Sequence, residues 1–361
     1  MHYLNQDLFY KKHVFAGFGN PLVDISALIK SDEILEKFNL KPDGQCEVNE
    51  HDISEMLKFL DRENHEVRKS PGGCVQNTLR IVQALVKQPQ FCVFFGGLGN
   101  DSDGGLLESE VKKCGVETRY TKHPAYSTGK VAALIHGDKR SLVAHLGAAE
   151  VYRREDFETS ENLKILEEVV IVYIEGFFIT HSLDVALEVI KICKSKGVIV
   201  AFNISGAYVA EAHSEKLLAT VVLADIVIGN DSEFKALGKI INLSCDTLKD
   251  LAMETFLFLK KQNIPSHKFK VEGVNDLNKV LVMTRGKAPV YCVFGDGEIM
   301  EFAVPTLDVS LIKDTTGAGD SFAAAFLLAL IQGKSLTECL AFGCATAHKV
   351  IQEVGVYLGD K

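Results

Sequence analysis

The segment Asp314–Ser321 combines residue types that could bind an anion and move a proton beside it. It reads Asp-Thr-Thr-Gly-Ala-Gly-Asp-Ser and runs into the apolar stretch Phe322–Ile331, which is typical of a buried helix. Two glycines before a helix leave the amides of Gly317–Gly319 free to converge on an anion. Asp320, at the predicted helix start, is ionised at neutral pH and can accept a hydroxyl proton. A capped buried helix, with Asp320 facing the helix dipole, is the alternative.

The segment Gly72–Asn77 is a second loop that could surround a ligand. It reads Gly-Gly-Cys-Val-Gln-Asn, and a helical pattern follows it. Gly72 and Gly73 would let a ligand approach the main chain closely, and Asn77 offers a donor and an acceptor toward the same point. An ordinary loop-to-helix junction explains the same residues, so both interpretations stay open.

Polar side chains also follow the predicted strand 225–229. Asn230, Asp231 and Glu233 come next in the chain, and ligands of α/β sheets collect at the carboxyl ends of strands. A carboxylate and an amide there suit a hydrated Mg²⁺ ion held mainly through water and phosphate oxygens. A helix start with an Asn or Asp cap and Glu233 in the first turn is an equal alternative.

Two further strand ends carry residues that suit a nucleotide. Thr284 and Gly286 close the predicted strand 280–284 and could contact a phosphate, although a simple strand-end turn needs the same residues. Phe177 and Phe178 follow another strand, where they could form a stacking wall for a flat base or pack in the core.

Several common nucleotide and metal motifs are absent from the sequence. The nearest candidate for a Walker A loop, residues 333–335, has Leu328 where the first glycine would stand. Gly17 and Gly19 follow a predicted strand as in a dinucleotide-binding fold, but position 22 is Leu and the next residues alternate like a strand. The sequence has no H-E-x-x-H and no C-x-x-C, which argues against a zinc site.

Around these motifs the chain alternates between strand and helix patterns. Continuous apolar runs predict strands that are buried on both faces, at 13–19, 91–96, 169–175, 198–203, 225–229 and 280–284. Helical patterns at 103–114 and 182–196 each end at a glycine. Such alternation is typical of βαβ units, so we predict an α/β fold with a Rossmann-like, mostly parallel sheet flanked by helices.

A hairpin pattern interrupts this alternation and predicts a second, smaller sheet. The runs 130–136 and 141–146 are short strands joined by the turn 137–140, and 22–29 alternates with Asp24 among its polar positions. Because this patterning suits a sheet with one solvated face, we predict a small β-sheet lid inserted into the main domain.

Charge and cysteine usage exclude several classes of protein. The chain has 39 Lys and Arg against 48 Asp and Glu, a net charge of −9, so it lacks the basic footprint that nucleic acid or an anionic membrane requires. The longest apolar run, Phe322–Ile331, is far shorter than the roughly 20 residues of a membrane span. Nine dispersed cysteines indicate reduced thiols. We therefore expect no nucleic-acid or membrane partner and a cytoplasmic protein, with the nucleus as the alternative compartment.

Six strings, in this order, resemble the ribokinase-like family of sugar and nucleoside kinases. They are 19–26 (GNPLVDIS), 71–77 (PGGCVQN), 137–146 (GDKRSLVAHL), 173–178 (YIEGFF), 229–233 (GNDSE) and 314–320 (DTTGAGD). The last string marks the broad family, whereas 19–26 and the paired phenylalanines resemble the branch that phosphorylates adenosine. The resemblance implies a large α/β domain of about 10–21, 49–117 and 148–361, and a lid of about 22–48 and 118–147.

The resemblance also implies an activity and a set of site residues. The activity is transfer of the ATP γ-phosphoryl group to the 5′-hydroxyl of adenosine, which gives AMP and ADP in purine salvage. Catalytic roles fall on Asp320 as base and on Gly317, Ala318, Gly319 and Arg140. Nucleoside contacts fall on Asn20, Asp24, Gln45, Gly72, Gly73, Cys74, Asn77, Phe177 and Phe178. Nucleotide contacts fall on Asn203, Asn230, Thr284, Gly286 and Thr316.

The same resemblance implies ions, an oligomeric state and an alternative activity. Mg²⁺ would be held by Asn230 and Glu233 through water, K⁺ near Asp314 and Thr316 is a further option, and a monomer is expected. Cys74, Glu150 and Tyr208 depart from the residues usual in the adenosine branch. A related sugar kinase or other nucleoside kinase is therefore the alternative activity. A non-catalytic binding relative is a third, against which the retained Asp320 argues.

Overall fold

Strands and helices alternate along most of the chain, as the sequence predicts. The computed structural model describes residues 11–42, 44–136, 139–262, 264 and 268–358. Turn residues 137 and 138, and the expected domain ends at 10 and 359–361, lie outside this part of the chain. The strands are β1 (Phe15–Phe18), β2 (Leu22–Leu28), β3 (Gln45–Glu47), β4 (Val67–Gly72), β5 (Cys92–Gly99), β6 (Glu117–His123), β7 (Thr128–His136), β8 (Lys139–Gly147), β9 (Ile171–Glu175), β10 (Ile199–Asn203), β11 (Ile226–Asn230), β12 (Phe269–Val271), β13 (Val274–Leu277), β14 (Val280–Thr284), β15 (Val290–Phe294) and β16 (Glu298–Phe302). The helices are α1 (Glu33–Lys37), α2 (Glu50–Arg62), α3 (Cys74–Val86), α4 (Ser102–Lys113), α5 (Arg154–Phe157), α6 (Ser160–Glu168), α7 (Gly176–Lys196), α8 (Ala207–Ala212), α9 (Ser214–Val221), α10 (Asp231–Ile240), α11 (Leu248–Lys261), α12 (Ala318–Ile331) and α13 (Leu336–Val350).

The main sheet has nine strands and is mostly parallel. Its order is β16-β15-β14-β11-β10-β9-β1-β5-β6, and only β15 and β16 run antiparallel to their neighbours. Successive residues of β1 face opposite sides, so Phe15 packs in one core cluster and Ala16 in the other. Helices cover both faces, with α3, α12 and α13 on one side and α7, α9, α10 and α11 on the other. The predicted α/β fold class is confirmed.

Helix α12 is buried on all sides, as its sequence predicts. Every residue from Asp320 to Ile331 is buried, and the helix packs between α3 and α13. A Cβ at Gly343 would lie 2.8 Å from the Phe322 ring, so this glycine lets α13 approach closely. The tight packing fixes the start of α12, where Asp320 lies.

The small sheet has five strands in the order β3-β8-β7-β2-β4. The predicted hairpin is present as antiparallel β7 and β8, and β2 pairs in parallel with β7. Helix α2 packs against one face of this sheet through Ile53, Met56 and Leu60, which share a core cluster with Leu134 and Val143. The other face is turned toward the main sheet, where it bounds a cavity.

Two strands lie in a different sheet from the one that the sequence-based domain boundaries imply. Residues 67–72 were assigned to the large domain, but β4 pairs with β2 of the small sheet. Residues 118–123 were assigned to the lid, but β6 pairs with β5 of the main sheet. The local sequence pattern of a strand does not indicate which strand it pairs with, because hydrogen-bond pairing depends on residues distant in the chain.

Among the described residues, no helix is both long and apolar enough to cross a lipid bilayer.

Candidate active site

A cavity of about 410 Å³ lies where the carboxyl ends of the main-sheet strands face the small sheet. This is the edge of an α/β sheet at which ligands usually bind. The predicted site residues that line it are Asn20, Asp24, Gln45, Gly73, Cys74, Asn77, Arg140, Phe177, Asn230, Thr316, Gly317, Ala318, Gly319 and Asp320. The predicted site residues that do not line it are Gly72, Phe178, Asn203, Glu233, Thr284 and Gly286.

Asp320 occupies the first turn of α12 at one end of this cavity. The preceding loop turns on Gly317, whose φ of +72° is a left-handed conformation that favours glycine. Asp320 is only 9% exposed, and Asn77 Nδ2 donates a hydrogen bond to its Oδ2 at 3.1 Å. Burial raises the pKa of Asp320 to about 6, and the nearby Asn77 and Arg140 offset only part of that rise. The carboxylate is therefore ionised at neutral pH and more basic than a surface aspartate.

Arg140 connects the small sheet to the same loop. Its Nη1 donates to Thr316 Oγ1 at 2.7 Å, and Thr316 donates from its amide and hydroxyl to Asp314 Oδ1 at 2.8 and 2.5 Å. The Gly355 amide donates to the other Asp314 oxygen at 3.0 Å. Arg140 and the Gly317–Gly319 turn therefore line the same end of the cavity, where a cation and main-chain donors can face an anion.

Asp24 places a second carboxylate near this end, on strand β2. Burial raises the pKa of Asp24 to about 7, and Arg140 opposes that rise. A Cβ at Gly72 would collide with the Asp24 carboxylate, and one at Gly73 would collide with the main-chain oxygen of Asn20. Gly73 also has a φ of +90°. The two glycines thus allow close packing, and Gly72 contacts Asp24 without lining the cavity.

The opposite end of the cavity is aromatic. The rings of Phe177 and Tyr208 stack with centroids 5.7 Å apart and an interplanar angle of 19°. Asn20 Nδ2 donates to the main-chain oxygen of Phe177 at 3.1 Å, which holds the start of α7 against the loop after β1. The Tyr208 hydroxyl donates to Glu47 Oε1 at 3.3 Å. Such a flat aromatic surface suits a planar base.

Phe178 is not part of that surface, so of the two phenylalanines predicted to contact substrate only Phe177 lines the cavity. The side chain is fully buried, and its ring centroid lies 6.3 Å from that of Phe18 and 6.2 Å from that of Tyr152. Successive residues of a helix point about 100° apart, so only one of two adjacent phenylalanines can face the cavity. Phe177 takes that position and Phe178 packs in the core.

Asn230 and Glu233 form the helix cap that the sequence left as an alternative to a magnesium site. Asn230 Oδ1 accepts from the Glu233 amide at 2.9 Å, and both Glu233 oxygens accept hydrogen bonds from Asn230 at 2.7 and 2.9 Å. Glu233 is 5% exposed, and burial raises its pKa to about 7. The described residues contain no group of three or more His, Cys, Asp or Glu that could hold a metal ion. Glu233 is therefore engaged in the cap and does not line the cavity, whereas Asn230 does, and the water-mediated magnesium site stays a prediction.

The other predicted nucleotide contacts lie at strand ends outside the cavity wall. Asn203 donates to the Tyr173 hydroxyl at 3.0 Å and accepts from the Ser205 amide at 3.0 Å, so its side chain is used within the fold. Thr284 pairs with Asn230 across β14 and β11, and Gly286 follows it in a left-handed conformation. Positions 284 and 286 continue the edge of the sheet at which Asn230 lies, whereas Asn203 is hydrogen-bonded within the fold and does not line the cavity.

Several cavity residues are absent from the sequence-based set. They include Glu47, Glu175, Ser205, Thr315 and a row of small-sheet residues at 22, 26, 131, 133, 142, 144 and 146. That row had a signal, because alternate residues of a strand share a face, and Asp24 and Arg140 belong to the same series. Glu175 lies within the string 173–178, which was recognised for its phenylalanines, and Ser205 follows a strand outside the recognised strings.

Comparisons with known proteins agree on one family. The profile of the pfkB family carbohydrate kinases matches residues 49–360. The adenosine kinase of Saccharomyces cerevisiae is 30% identical over 339 residues, which cover 93% of this chain and 94% of that protein. Adenosine kinase 1 of Arabidopsis thaliana is 27% identical over 348 residues, 96% of each chain.

Two solved structures share the whole fold. Anopheles gambiae adenosine kinase, in complex with a di(adenosine) tetraphosphate, has a TM-score of 0.85 and 28% identity, covering 97% of this chain and 99% of that one. Schistosoma mansoni adenosine kinase, in complex with 2-fluoroadenosine, has a TM-score of 0.86 and 27% identity, covering 97% and 98%.

Proposed function

This chain belongs to the pfkB family of carbohydrate kinases, and we propose that it transfers the γ-phosphoryl group of ATP to the 5′-hydroxyl of adenosine. One observation carries the proposal: Asp320 is held by Asn77 beside the Gly317–Gly319 turn, in a cavity whose other end is the Phe177–Tyr208 stack. The relatives that are adenosine kinases support adenosine as the acceptor. The products are AMP and ADP.

Asp320 acts as the base in this proposal. As the 5′-oxygen bonds to the γ-phosphorus, the O–H bond breaks and its proton passes to the Asp320 carboxylate, while the bond from the γ-phosphorus to the ADP oxygen breaks. Its pKa of about 6 suits the task, because the group is ionised at neutral pH yet more basic than an exposed aspartate. Asn77 orients the carboxylate through its hydrogen bond to Oδ2.

Arg140 and the Gly317, Ala318 and Gly319 amides stabilise the transferring phosphoryl group. They line the same end of the cavity as Asp320, and preorganised donors of this kind are worth about 3 kcal/mol each in a water-excluded site. Arg140 comes from the small sheet, so it completes the site only when that sheet covers the cavity. Thr316, which accepts a hydrogen bond from Arg140, positions the guanidinium.

The nucleoside lies between the two ends of the cavity. Asp24 accepts hydrogen bonds from the ribose 2′- and 3′-hydroxyls, with Gly73 and Asn77 beside them and Gly72 behind the carboxylate. The base stacks on Phe177. Asn20, Gln45 and Cys74 complete its surroundings.

ATP approaches along the strand ends at Asn230, Thr284 and Gly286, with its γ-phosphate at the Gly317–Gly319 turn. Mg²⁺ bound to these phosphates would neutralise part of their charge. Of the two predicted magnesium residues only Asn230 lines the cavity, so only Asn230 would be an outer contact to a water-coordinated ion. A K⁺ ion near Asp314 and Thr316 stays a prediction, to be tested by comparing turnover in potassium and tetramethylammonium salts.

We further infer a monomer with reduced thiols in the cytoplasm, with the nucleus as the alternative compartment. The monomer follows from the family resemblance, and all nine cysteines are unpaired. Light scattering and imaging of the tagged protein in its cell test these two statements.

The deciding experiment compares acceptors. With ATP and Mg²⁺ present, kcat/KM is measured for adenosine, inosine, guanosine and ribose, and the phosphorylated position is assigned by ³¹P NMR. We expect adenosine to have the highest kcat/KM and the product to be the 5′-monophosphate. If ribose exceeded adenosine, the chain would be a sugar kinase of the same family, and if inosine or guanosine exceeded it, another nucleoside kinase.

A further inference from the structure

Glu175 is a buried carboxyl group that no step of the proposed reaction uses. It is the last residue of β9 and precedes α7, it borders the cavity, and it is only 1% exposed. A glutamate at this position could cap the helix, but its side chain makes no cap hydrogen bond. Its Oε2 has no hydrogen-bond partner within the described part of the chain. A structural role therefore does not account for the Oε2 atom of this carboxyl group.

The surroundings of Glu175 favour the protonated acid. Burial and the Asp320 carboxylate raise the pKa of Glu175 to about 8, against weaker lowering effects of the Cys74 thiol and the amides of Asn20 and Val75. None of these main influences is a cation. At neutral pH the group is therefore mostly uncharged, with one oxygen near main-chain donors and a proton to donate from the other.

A buried donor without a partner is unfavourable unless a ligand supplies the acceptor. The ligand that fits this cavity is a purine nucleoside, whose ribose hydroxyls are assigned to Asp24 and Asn77. Phe177 provides the stacking face and Glu175 lines the same cavity, so we assign the edge of the base to Glu175. The acceptors on the edge of adenine are its ring nitrogens.

We propose that Glu175 is a specificity-determining residue whose carboxyl group donates a hydrogen bond to a ring nitrogen of the bound purine. This inference rests on the proposed function, since it takes a purine nucleoside as the occupant of the cavity. It makes Glu175 a binding residue for the base and leaves proton abstraction to Asp320.

Two variants of Glu175 distinguish the effect of hydrogen-bond donation from the effect of side-chain shape. Glu175→Gln keeps an acceptor for the main-chain amides and an N–H donor, whereas Glu175→Met has a similar length and no donor. Each is assayed with adenosine and with its 1-deaza, 3-deaza and 7-deaza analogues, in which one ring nitrogen is replaced by C–H. Thermal unfolding confirms that each variant is folded before its kinetics are compared.

We expect the wild-type protein to lose about tenfold in kcat/KM with one of the three analogues, the size of one hydrogen bond, and much less with the other two. Glu175→Gln should keep that pattern. Glu175→Met should lose about tenfold with adenosine and treat all four nucleosides alike. The inference is overturned if Glu175→Met retains the wild-type pattern. If Glu175→Met fails to fold, the inference is overturned if Glu175→Gln abolishes that pattern.

The pH dependence provides an independent readout. KM for adenosine should rise as pH increases through about 8 in the wild type, because the ionised carboxylate repels the nitrogen lone pair, and this rise should be absent in Glu175→Gln. The titratable groups facing Glu175 are Asp320 on α12, Cys74 on α3, Tyr173 on β9 and Tyr208 on α8. Asp320 is already ionised at this pH, and burial holds the pKa of the thiol and of both phenols well above it.

An error in the proposed function would give a different experimental result from an error in the role of Glu175. If the wild type did not phosphorylate adenosine, the proposed function would be wrong, and calorimetric binding of the same four nucleosides to the three proteins would still test Glu175. Absence of binding to all four would overturn both statements.

Discussion

The two ends of the cavity are built in different ways. At the phosphate end, one continuous segment, 314–320, supplies the loop, the amides and Asp320, and distant residues join it through single hydrogen bonds such as Asn77 to Asp320. At the base end, three separate segments contribute to the wall: one supplies Gln45 and Glu47, one supplies Phe177 and one supplies Tyr208. Under the proposed function, the reacting groups come from one short segment, whereas the choice of substrate depends on how several segments are packed together.

The glutamates at the base end extend this comparison. His181 donates to Glu47 and lowers its pKa, so Glu47 is an anion held by His181 and the Tyr208 hydroxyl. Burial raises the pKa of Glu175, which has no such partner. The same residue type is thus charged at the rim of the cavity and neutral in its wall, because the surroundings of each side chain differ.

The largest effect is expected from substitution of Asp320, at the phosphate end of the cavity. Replacing Asp320 by Asn removes the base but keeps the shape, so kcat should fall about 10³-fold while calorimetry finds adenosine binding little changed. In the unmodified protein, kcat should fall as pH drops below about 6, where Asp320 becomes protonated. Asp246→Asn, an exposed carboxyl group outside the cavity, is the matched control. Turnover that survived in Asp320→Asn would remove the base assignment.

The next effect uses the two adjacent phenylalanines as a matched pair. Phe177→Ala removes the stacking face, worth about 1–3 kcal/mol, so KM for adenosine should rise roughly 5- to 150-fold with little change in unfolding free energy. Phe178→Ala opens a cavity in the core and should lower the unfolding free energy by about 3–5 kcal/mol. Chemical denaturation and steady-state kinetics on both variants check this contrast, which would collapse if the two variants behaved alike.

The smallest effect concerns the polar rim of the base end. Tyr208→Phe keeps the stacked ring and removes only the hydroxyl that donates to Glu47. We expect KM for adenosine to rise about two- to tenfold and kcat to stay the same. Tyr208→Ala, which also removes the ring, should raise KM further. Equal kinetics for the two substitutions would mean that the ring itself contributes nothing to binding.

The sequence predicts more of the phosphate end than of the base end. Glycines, Asp320 and an all-apolar helix stand together in one string, so their arrangement follows from local geometry. The same string could not show that Asn77, more than two hundred positions away, holds the Asp320 carboxylate. At the base end, the sequence indicates the pair at 177 and 178 as a candidate stacking surface. Which ring faces the cavity required the rotation of α7 against the core.

Strand assignment shows the same limit. The apolar runs predicted strands and the hairpin predicted a second sheet, yet β4 and β6 each joined the sheet opposite to the one expected. Asn230 and Glu233 were compatible with a cap and with a metal site, and only their mutual hydrogen bonds distinguish the two. In each case the sequence pattern is compatible with two arrangements, and only the hydrogen bonds of the folded structure distinguish them.

The sequence by itself determined the α/β class, the glycine turn at 317–319 and the carboxylate beside it, because these depend on neighbours in the chain. The tertiary structure decided which strands pair, which phenylalanine faces the cavity, and that Glu175 is buried without a charged partner. Those properties depend on residues that only folding brings together. Burial and long-range contacts then set the protonation state and the exposure of each side chain, and neither is encoded in the residue's own segment.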